Sequence, residues 1–379
     1  AKMEFRLSYE KVLEVSDFFK ENLQNNNFEN NGIVYIGMDA GWAKMSDEQL
    51  ADIARHCKAN GQKAGIYFTP FSDWGKDPEA YINGNSGYKC KDAYLYANGK
   101  TQNMVAGGLA MDPTHPAIKE RIRETAERFK RLGYEYIKID FLTHGCAEAD
   151  YYYDPEVQTG MQAYNKGMAY LLEQMEGMYI TMAISPLFPS QYAHSRRIAC
   201  DAWAGIGDTE YTLNSLTYGW WLNQVYTYND PDHLLLEPVS DGENRARITS
   251  GVITGIFMNG DDLSYISGIQ VAKDKARKFL TNEDINAIAK MGKSFRPVNG
   301  NMDGADFLFM HDTGKEVYLA AFNYSGYDLT YDLPLSRLGL RESSTYKAKE
   351  LWSGKEVKFK KNVRVCIPKK DVLVFRITR

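Results

Sequence analysis

From about residue 33 to residue 291 the chain alternates β-type runs with helical patterns, and that alternation restricts the folds open to it. Residues 33–38 read as a strand. Ser46 with Gln49 forms a capping-box pattern ahead of a helix that Asn60-Gly61 would end. Residues 63–68 read as the next strand. A long Gly-, Asn- and Tyr-rich loop follows, of a length that in a compact domain usually serves function. Asp112-Pro113-Thr114-His115-Pro116 opens a helix closed by Gly133, and residues 136–141 are again a strand. Residues 164–175 read as helix, 179–184 as strand, 197–203 and 224–228 as short strands, and 251–258 as a buried strand or helix end. Thr281 is expected to cap a last helix. A repeated strand–helix order implies a parallel sheet, and in parallel β/α barrels the active site lies where strands run out into loops. No glycine-rich phosphate loop follows the first strand, which disfavours a doubly wound nucleotide fold. After Phe295-Arg296-Pro297 the pattern becomes short strands and turns. The expected organisation is a parallel β/α barrel over residues 1–297 and an antiparallel β-sandwich over 298–379.

Composition excludes more than it assigns. Net charge is −4, with no basic excess to neutralise phosphates, so no nucleic-acid partner is expected. No apolar run is long enough to span a bilayer, and no membrane partner is expected. The charged N-terminus (residues 1–6) lacks the apolar core of a signal peptide. Five scattered cysteines without CxxC spacing, and six isolated histidines, indicate neither a disulfide scaffold nor a metal site. No metal or organic cofactor is expected. The 26 tyrosines and six tryptophans suit stacking on sugar rings as well as core packing. Asn323-Tyr324-Ser325 is a glycosylation sequon, a motif that often occurs unused.

The chemistry-bearing segment is Tyr136-Ile137-Lys138-Ile139-Asp140-Phe141. Side chains alternate along a strand, so Lys138 and Asp140 share one face and Ile137 and Ile139 the other. A cation beside a carboxylate lowers its pKa, which is the preparation a carboxylate nucleophile needs. A structural ion pair is the plainer reading of the same residues. Arg197-Ile198-Ala199-Cys200-Asp201 repeats the pattern, with Arg197 and Asp201 expected on one strand face. Two aspartates ending two strands of one sheet suit a retaining glycosidase, in which one carboxylate attacks the anomeric carbon and the other protonates the leaving oxygen. Asp140 is then the nucleophile, and Asp201, near Trp203, the acid/base.

These motifs resemble glycoside hydrolase clan D, families 27 and 36, the α-galactosidase clan. Lys138-Ile139-Asp140 resembles its Lys-x-Asp nucleophile strand, residues 197–201 its Arg-x-x-x-Asp acid/base motif, and Asn229-Asp230-Pro231-Asp232 its Asn-Asp-Pro-Asp turn. The segments 251–262 and 280–293 resemble the last barrel strand and the helix before the sandwich. The resemblance covers nearly the whole chain in order. It implies a (β/α)8 TIM-type barrel followed by an antiparallel β domain, and retaining, exo-acting hydrolysis of an α-galactose-type sugar, with an oligosaccharide or glycoside as substrate. Asp39, Trp42, Lys138, Arg197, Trp203 and Asp232 would contact that substrate.

Three departures qualify the specificity. Where the clan usually has Asp-Asp-x-Trp, this chain has Asp39-Ala40-Gly41-Trp42, one carboxylate short. A site short of a hydrogen-bond partner discriminates less for that hydroxyl, so β-L-arabinopyranose, which lacks the C6 hydroxymethyl, stands beside galactose. Ala183-Ile184-Ser185-Pro186, where the C2 substituent should be met, matches neither a galactose nor an N-acetylgalactosamine pattern, so an α-N-acetylgalactosaminidase on the same scaffold stands as a further alternative. The clan's first barrel strand has no counterpart, which leads us to expect an upstream domain or second polypeptide that completes the barrel. From other classes, a non-catalytic glycan-binding barrel and a Schiff-base aldolase or isomerase using Lys138 remain as rivals. A glycan-degrading role would favour a secreted or periplasmic setting.

Overall fold

The computed structural model describes residues 7–84, 87–300 and 303–379; the N-terminal residues 1–6, read above for a signal peptide, lie outside them. Among the described residues the chain forms two compact units, one of residues 7–16 and 33–196 and the other of residues 17–32 and 197–379. The change of pattern near residue 297 falls inside the second unit.

The first unit holds parallel strands β1 (Tyr35–Gly37), β2 (Lys63–Phe68), β3 (Tyr136–Ile139) and β4 (Tyr179–Met182), paired in that order, with β5 (Ser195–Arg197) next to β4. Among the described residues β1 pairs with β2 alone, so it is an edge of this sheet. Helices α1 (Asp47–Ala59), α2 (Pro116–Leu132) and α3 (Gly160–Gln174) follow β1, β2 and β3 in sequence. Local chemistry sets their ends. Ser46 and Gln49 form the expected capping box and Thr159 with Gln162 forms another, while His115 accepts the Ala117 N–H through its ring ahead of Pro116. Gly133 closes α2 in the left-handed conformation. Ile66, Ile137, Ile139, Ile180 and Met182 bury one side of the sheet. Fully burying a side chain of this kind stabilises by about 1.5–3 kcal/mol. Towards the strand starts, Tyr35, Tyr136 and Tyr179 pack with ring centroids 5.5–5.7 Å apart. Tyr136 lies over Gly65 so closely that a Cβ there would sit 2.1 Å from its ring, which is why glycine interrupts β2.

In the second unit β6 (Tyr228–Asp230) receives the Ile198 N–H at the Asp230 carbonyl (3.0 Å), and Asn229 bridges in parallel to Gly255. Helices α4 (Ile206–Gly219), α5 (Asp241–Thr254), α6 (Gln270–Phe279) and α7 (Glu283–Met291) belong here. Residues 251–254 thus prove to be the end of a helix. Asn282, not Thr281, caps α7, because the Thr281 hydroxyl instead donates back to the Arg277 carbonyl.

The sandwich consists of β7 (Arg296–Pro297), β8 (Leu308–Asp312), β9 (Glu316–Asn323), β10 (Leu329–Pro334), β11 (Thr345–Glu350), β12 (Glu356–Lys360), β13 (Asn362–Ile367) and β14 (Asp371–Thr378). All are antiparallel, in the order β7-β8-β9-β14-β11-β12-β13-β10. Inward residues such as Leu319, Phe359, Val363, Phe375 and Ile377 form one core. Asn323 is fully buried, and its amide donates to the carbonyls of Tyr327, Ile367 and Pro368 at 2.8–3.0 Å. The sequon therefore offers no free nitrogen in the folded state. The five cysteines are all unpaired thiols. Among the described residues no helix is long and apolar enough to cross a membrane, and no three His, Cys, Asp or Glu side chains converge to hold a metal.

Candidate active site

Asp140 directly follows β3 and is buried. Its Oδ1 accepts the N–H of Phe141 (2.7 Å) and its Oδ2 the hydroxyl of Tyr67 on β2 (3.2 Å). Parallel register places Tyr67 beside Lys138, whose ammonium lies 5.4 Å from the Tyr67 ring. Phe141 takes a left-handed backbone (φ 55°), a costly conformation for a non-glycine residue. This turns the chain sharply after Asp140. Lys138 is half-buried and ion-paired to Asp39 (2.8 Å), whose other oxygen accepts the Ala40 N–H.

The electrostatics differ from the sequence expectation. Burial pushes the Asp140 carboxyl above its usual range, and the Asp39 charge pushes the same way. Lys138, the Phe141 N–H and the Tyr67 hydroxyl lower it but do not prevail. Lys138 pulls as expected, but its charge is shared with Asp39.

Trp42 is half-buried, and its indole donates to the Tyr67 carbonyl (2.8 Å). Its ring meets Phe129 of α2 edge-on at 5.2 Å and lies 5.4 Å from the guanidinium of Arg128 on the same helix. Trp74, 40 % exposed, packs edge-on against Phe141 at 4.6 Å, with fully buried His144 behind. Trp74 and Phe141, the residue that follows Asp140, thus form one aromatic wall.

The second unit builds its carboxylate differently. β5 stops at Arg197, so Asp201 is not on the strand as expected but in the irregular segment beyond it. The side chain of Asp201 is 74 % exposed and accepts from the Arg197 guanidinium at 2.5 Å. Arg197 is itself buried, and its other terminal nitrogen pairs with buried Asp232 at 2.8 Å. Asp232 also accepts the Ala202 N–H (2.9 Å) and contacts the His233 ring (3.0 Å). Burial alone would raise the Asp232 carboxyl. Hydrogen bonds from His233 and Ala202 and the Arg197 charge hold it instead well below the usual carboxylate range. Asp232 has φ 70°, and its N–H is bonded to Asp230 (2.8 Å), so the Asn-Asp-Pro-Asp turn presents it in a strained conformation. Trp203 is 42 % exposed and meets His233 edge-on at 5.0 Å.

Sequence reading missed Arg247 on α5. It is fully buried and donates to the carbonyls of Trp203 (3.1 Å), Pro231 (3.2 Å) and His233 (2.7 Å). One guanidinium thus ties the Asp201 segment to the Asp232 turn, and burial pulls its pKa down to about 10. Residues 246–253 mix polar and apolar types, so no local signal marked it. Tyr67 gave none, because its pairing with Lys138 depends on register. Asp261, near His233, is raised to about 6 by burial while accepting the Leu236 N–H.

Residues 308–377 match the α-galactosidase C-terminal β-sandwich domain. A probable α-galactosidase A from Aspergillus niger is 23% identical over 300 residues, which are 73% of this chain and 53% of the relative. The chain thus spans about half the length of the curated relatives it matches. Among solved structures, a GH27 β-L-arabinopyranosidase from Geobacillus stearothermophilus superposes with TM-score 0.76 at 13% identity, covering 99% of this chain and 93% of that one. The α-galactosidase I of Mortierella vinacea gives 0.65 at 12% identity, covering 98% and 93%. These two likenesses show the fold, a parallel β/α barrel type with a C-terminal antiparallel sandwich. With that fold, the matching sandwich domain and the curated relatives together, the chain is α-galactosidase-like.

Proposed function

We propose that the chain is a retaining, exo-acting glycoside hydrolase that removes a terminal α-galactose-type sugar. The observation that carries this reading is the setting of Asp140. It is a buried carboxylate at a strand end, oriented by a phenol and a backbone N–H, with a lysine–aspartate pair beside it. In the proposed reaction an Asp140 oxygen bonds to the anomeric carbon as the glycosidic bond breaks, and Asp201 gives its proton to the leaving oxygen. Asp201 then takes a proton from water, whose oxygen displaces Asp140 and releases the sugar with its configuration retained. Burial suits the nucleophile's part, since a carboxylate stripped of water and raised in basicity attacks more readily. Lys138 and Asp39 would hold sugar hydroxyls, and Arg197 would reach the hydroxyl beside the reacting carbon. Trp42, Trp203 and Asp232 keep their expected roles near the substrate only as part of this proposal.

One observation favours a second sugar. Ala40 supplies no side-chain acceptor, and Asp39 is already engaged by Lys138 and the Ala40 N–H. β-L-Arabinopyranose matches galactose at every ring hydroxyl and lacks only the C6 group, so it asks less of this position. The test is hydrolysis of nitrophenyl α-galactoside and β-L-arabinopyranoside by wild type and Asp140→Asn. Turnover of either, abolished in the variant, supports the reading. Glycan binding with no turnover of any glycoside returns the non-catalytic barrel instead.

A further inference from the structure

The C-terminal sandwich contains a feature that the proposed reaction does not use. Strands β12 and β13 meet at a tight turn where Lys361 has φ 65°, yet they pair at a single position, Lys360 with Asn362. On their outer sides both are fully engaged, β12 with β11 over five residues and β13 with β10 over six. The two strands therefore splay apart, and their facing edges leave peptide N–H and C=O groups without ladder partners. A cleft of about 890 Å³ fills the wedge, within the range of small-molecule sites. Phe359, Leu373 and Phe375 are among its apolar lining. Trp352 stands at one end, fixed from behind by its indole N–H on Thr249 (3.0 Å) and by Phe279 (6.0 Å).

Charge singles this cleft out. Lys355, Lys358, Lys360 and Arg364 line it, and among the described residues no carboxylate forms an ion pair with any of them. The carboxylates on its wall are otherwise occupied. Asp371 holds Arg245 in a two-pronged pair (3.0 and 2.5 Å), and Glu350 accepts from Ser353, Trp352 and Val374. Lys358 lies directly across the ladder from Lys347, a like-charge pairing that disfavours the sheet. Residues 355–370 contain seven Lys and Arg against one Glu. Residues 306–379 carry 14 against nine, while residues 1–305 carry 31 against 40. A basic cleft thus sits on a chain that is acidic elsewhere.

We infer that this cleft is a second binding site, for an acidic oligosaccharide bearing carboxylate or sulfate groups. The unpaired peptide edges offer donors and acceptors to hydroxyls, the cations pair with the acidic groups, and the half-buried Trp352 ring takes the apolar face of a sugar ring, while Phe359 and Phe375 belong to the core that floors the cleft. An acidic peptide strand fits less well. Pairing with both edges needs a constant gap of about 9.5 Å, twice the strand spacing, and a wedge closing on a one-residue turn cannot supply it. A long nucleic acid would meet the net negative charge of the remaining 305 residues.

The test is calorimetric titration of the full chain with tetragalacturonate at low salt, with uncharged maltotetraose and tetraglutamate as controls. Saturable one-site binding of tetragalacturonate alone is expected. It should weaken at least about tenfold in Lys358→Glu/Arg364→Glu, as loss of two charge-assisted contacts implies, while turnover of nitrophenyl glycoside stays unchanged and thermal unfolding stays cooperative. No saturable binding at millimolar tetragalacturonate overturns the inference. So does equal affinity in the double variant, which would mean that the lysines only guard exposed strand edges. Tighter binding of tetraglutamate or duplex DNA would reassign the cleft to a different partner.

Discussion

The surroundings of Asp140 and of Asp201 are built on opposite plans. In the first the carboxylate itself is buried and its cationic neighbour, Lys138, is partly open. In the second the carboxylate is exposed, and what lies buried is the apparatus that holds it, Arg197, Asp232 and Arg247. The difference teaches where each site keeps its electrostatic strain. Around Asp140 it falls on the reacting group, whose pKa burial raises. Around Asp201 it falls on Asp232 and Arg247, whose pKa values burial and pairing displace, and Asp201 stays in contact with water.

The largest expected effect tests the buried side. Asp140→Asn should lose about 10⁴-fold or more in kcat, as removal of a nucleophile does in other covalent mechanisms. Asp201→Asn should lose about 10²–10⁴-fold on a substrate whose leaving group needs a proton. It should lose far less in the first step with a dinitrophenyl glycoside, which leaves without one; equal losses would remove Asp201 from the acid's role.

Asp232→Asn comes next. Breaking a buried ion pair by deleting one partner costs about 3–5 kcal/mol. A carboxyl with a depressed pKa contributes stability that is present above the ordinary aspartate value and lost as pH falls below it. The deficit of Asp232→Asn, read by denaturant titration, should therefore be full at neutral pH and shrink in acid.

Smaller shifts sharpen the contrast through pH. The acid limb of kcat/KM should follow Asp140 and lie above the ordinary aspartate range. Tyr67→Phe removes a hydrogen bond that favours the charged form and should move that limb to higher pH. Asp39→Asn removes a like charge and releases Lys138, and should move it lower. The smallest effect is on stability. A carboxyl raised on folding favours the fold while protonated and opposes it once pH climbs through the raised value. Asp140→Asn should thus melt higher than wild type at neutral pH, an advantage that disappears in acid.

Much of this was legible in the sequence, for local reasons. Period-two alternation placed Lys138 and Asp140 on one face, and a capping box marked the helix start at Ser46, whereas the helix read from residue 164 in fact begins at Gly160 behind a Thr159–Gln162 box. The switch to short alternating runs after Pro297 marked the sandwich. What was not legible depends on contacts distant in sequence. Residues 197–201 read as strand, yet the strand ends at Arg197 because Asp232 and Arg247 draw Ala202 and Trp203 elsewhere. Arg247 resembles a surface helix residue and is buried only because backbone carbonyls from two loops converge on it. The raised pKa of Asp140 reflects burial and a lysine shared with Asp39, and neither is visible in a Lys-x-Asp triplet.

The most direct measurement is mass spectrometry of the chain after incubation with an activated 2-deoxy-2-fluoro galactosyl or arabinopyranosyl substrate, which slows release of a covalent intermediate. The account predicts one added sugar, on the peptide containing residues 136–141 and on Asp140 itself. A sugar on any other residue, or none while the substrate is still turned over, would contradict it.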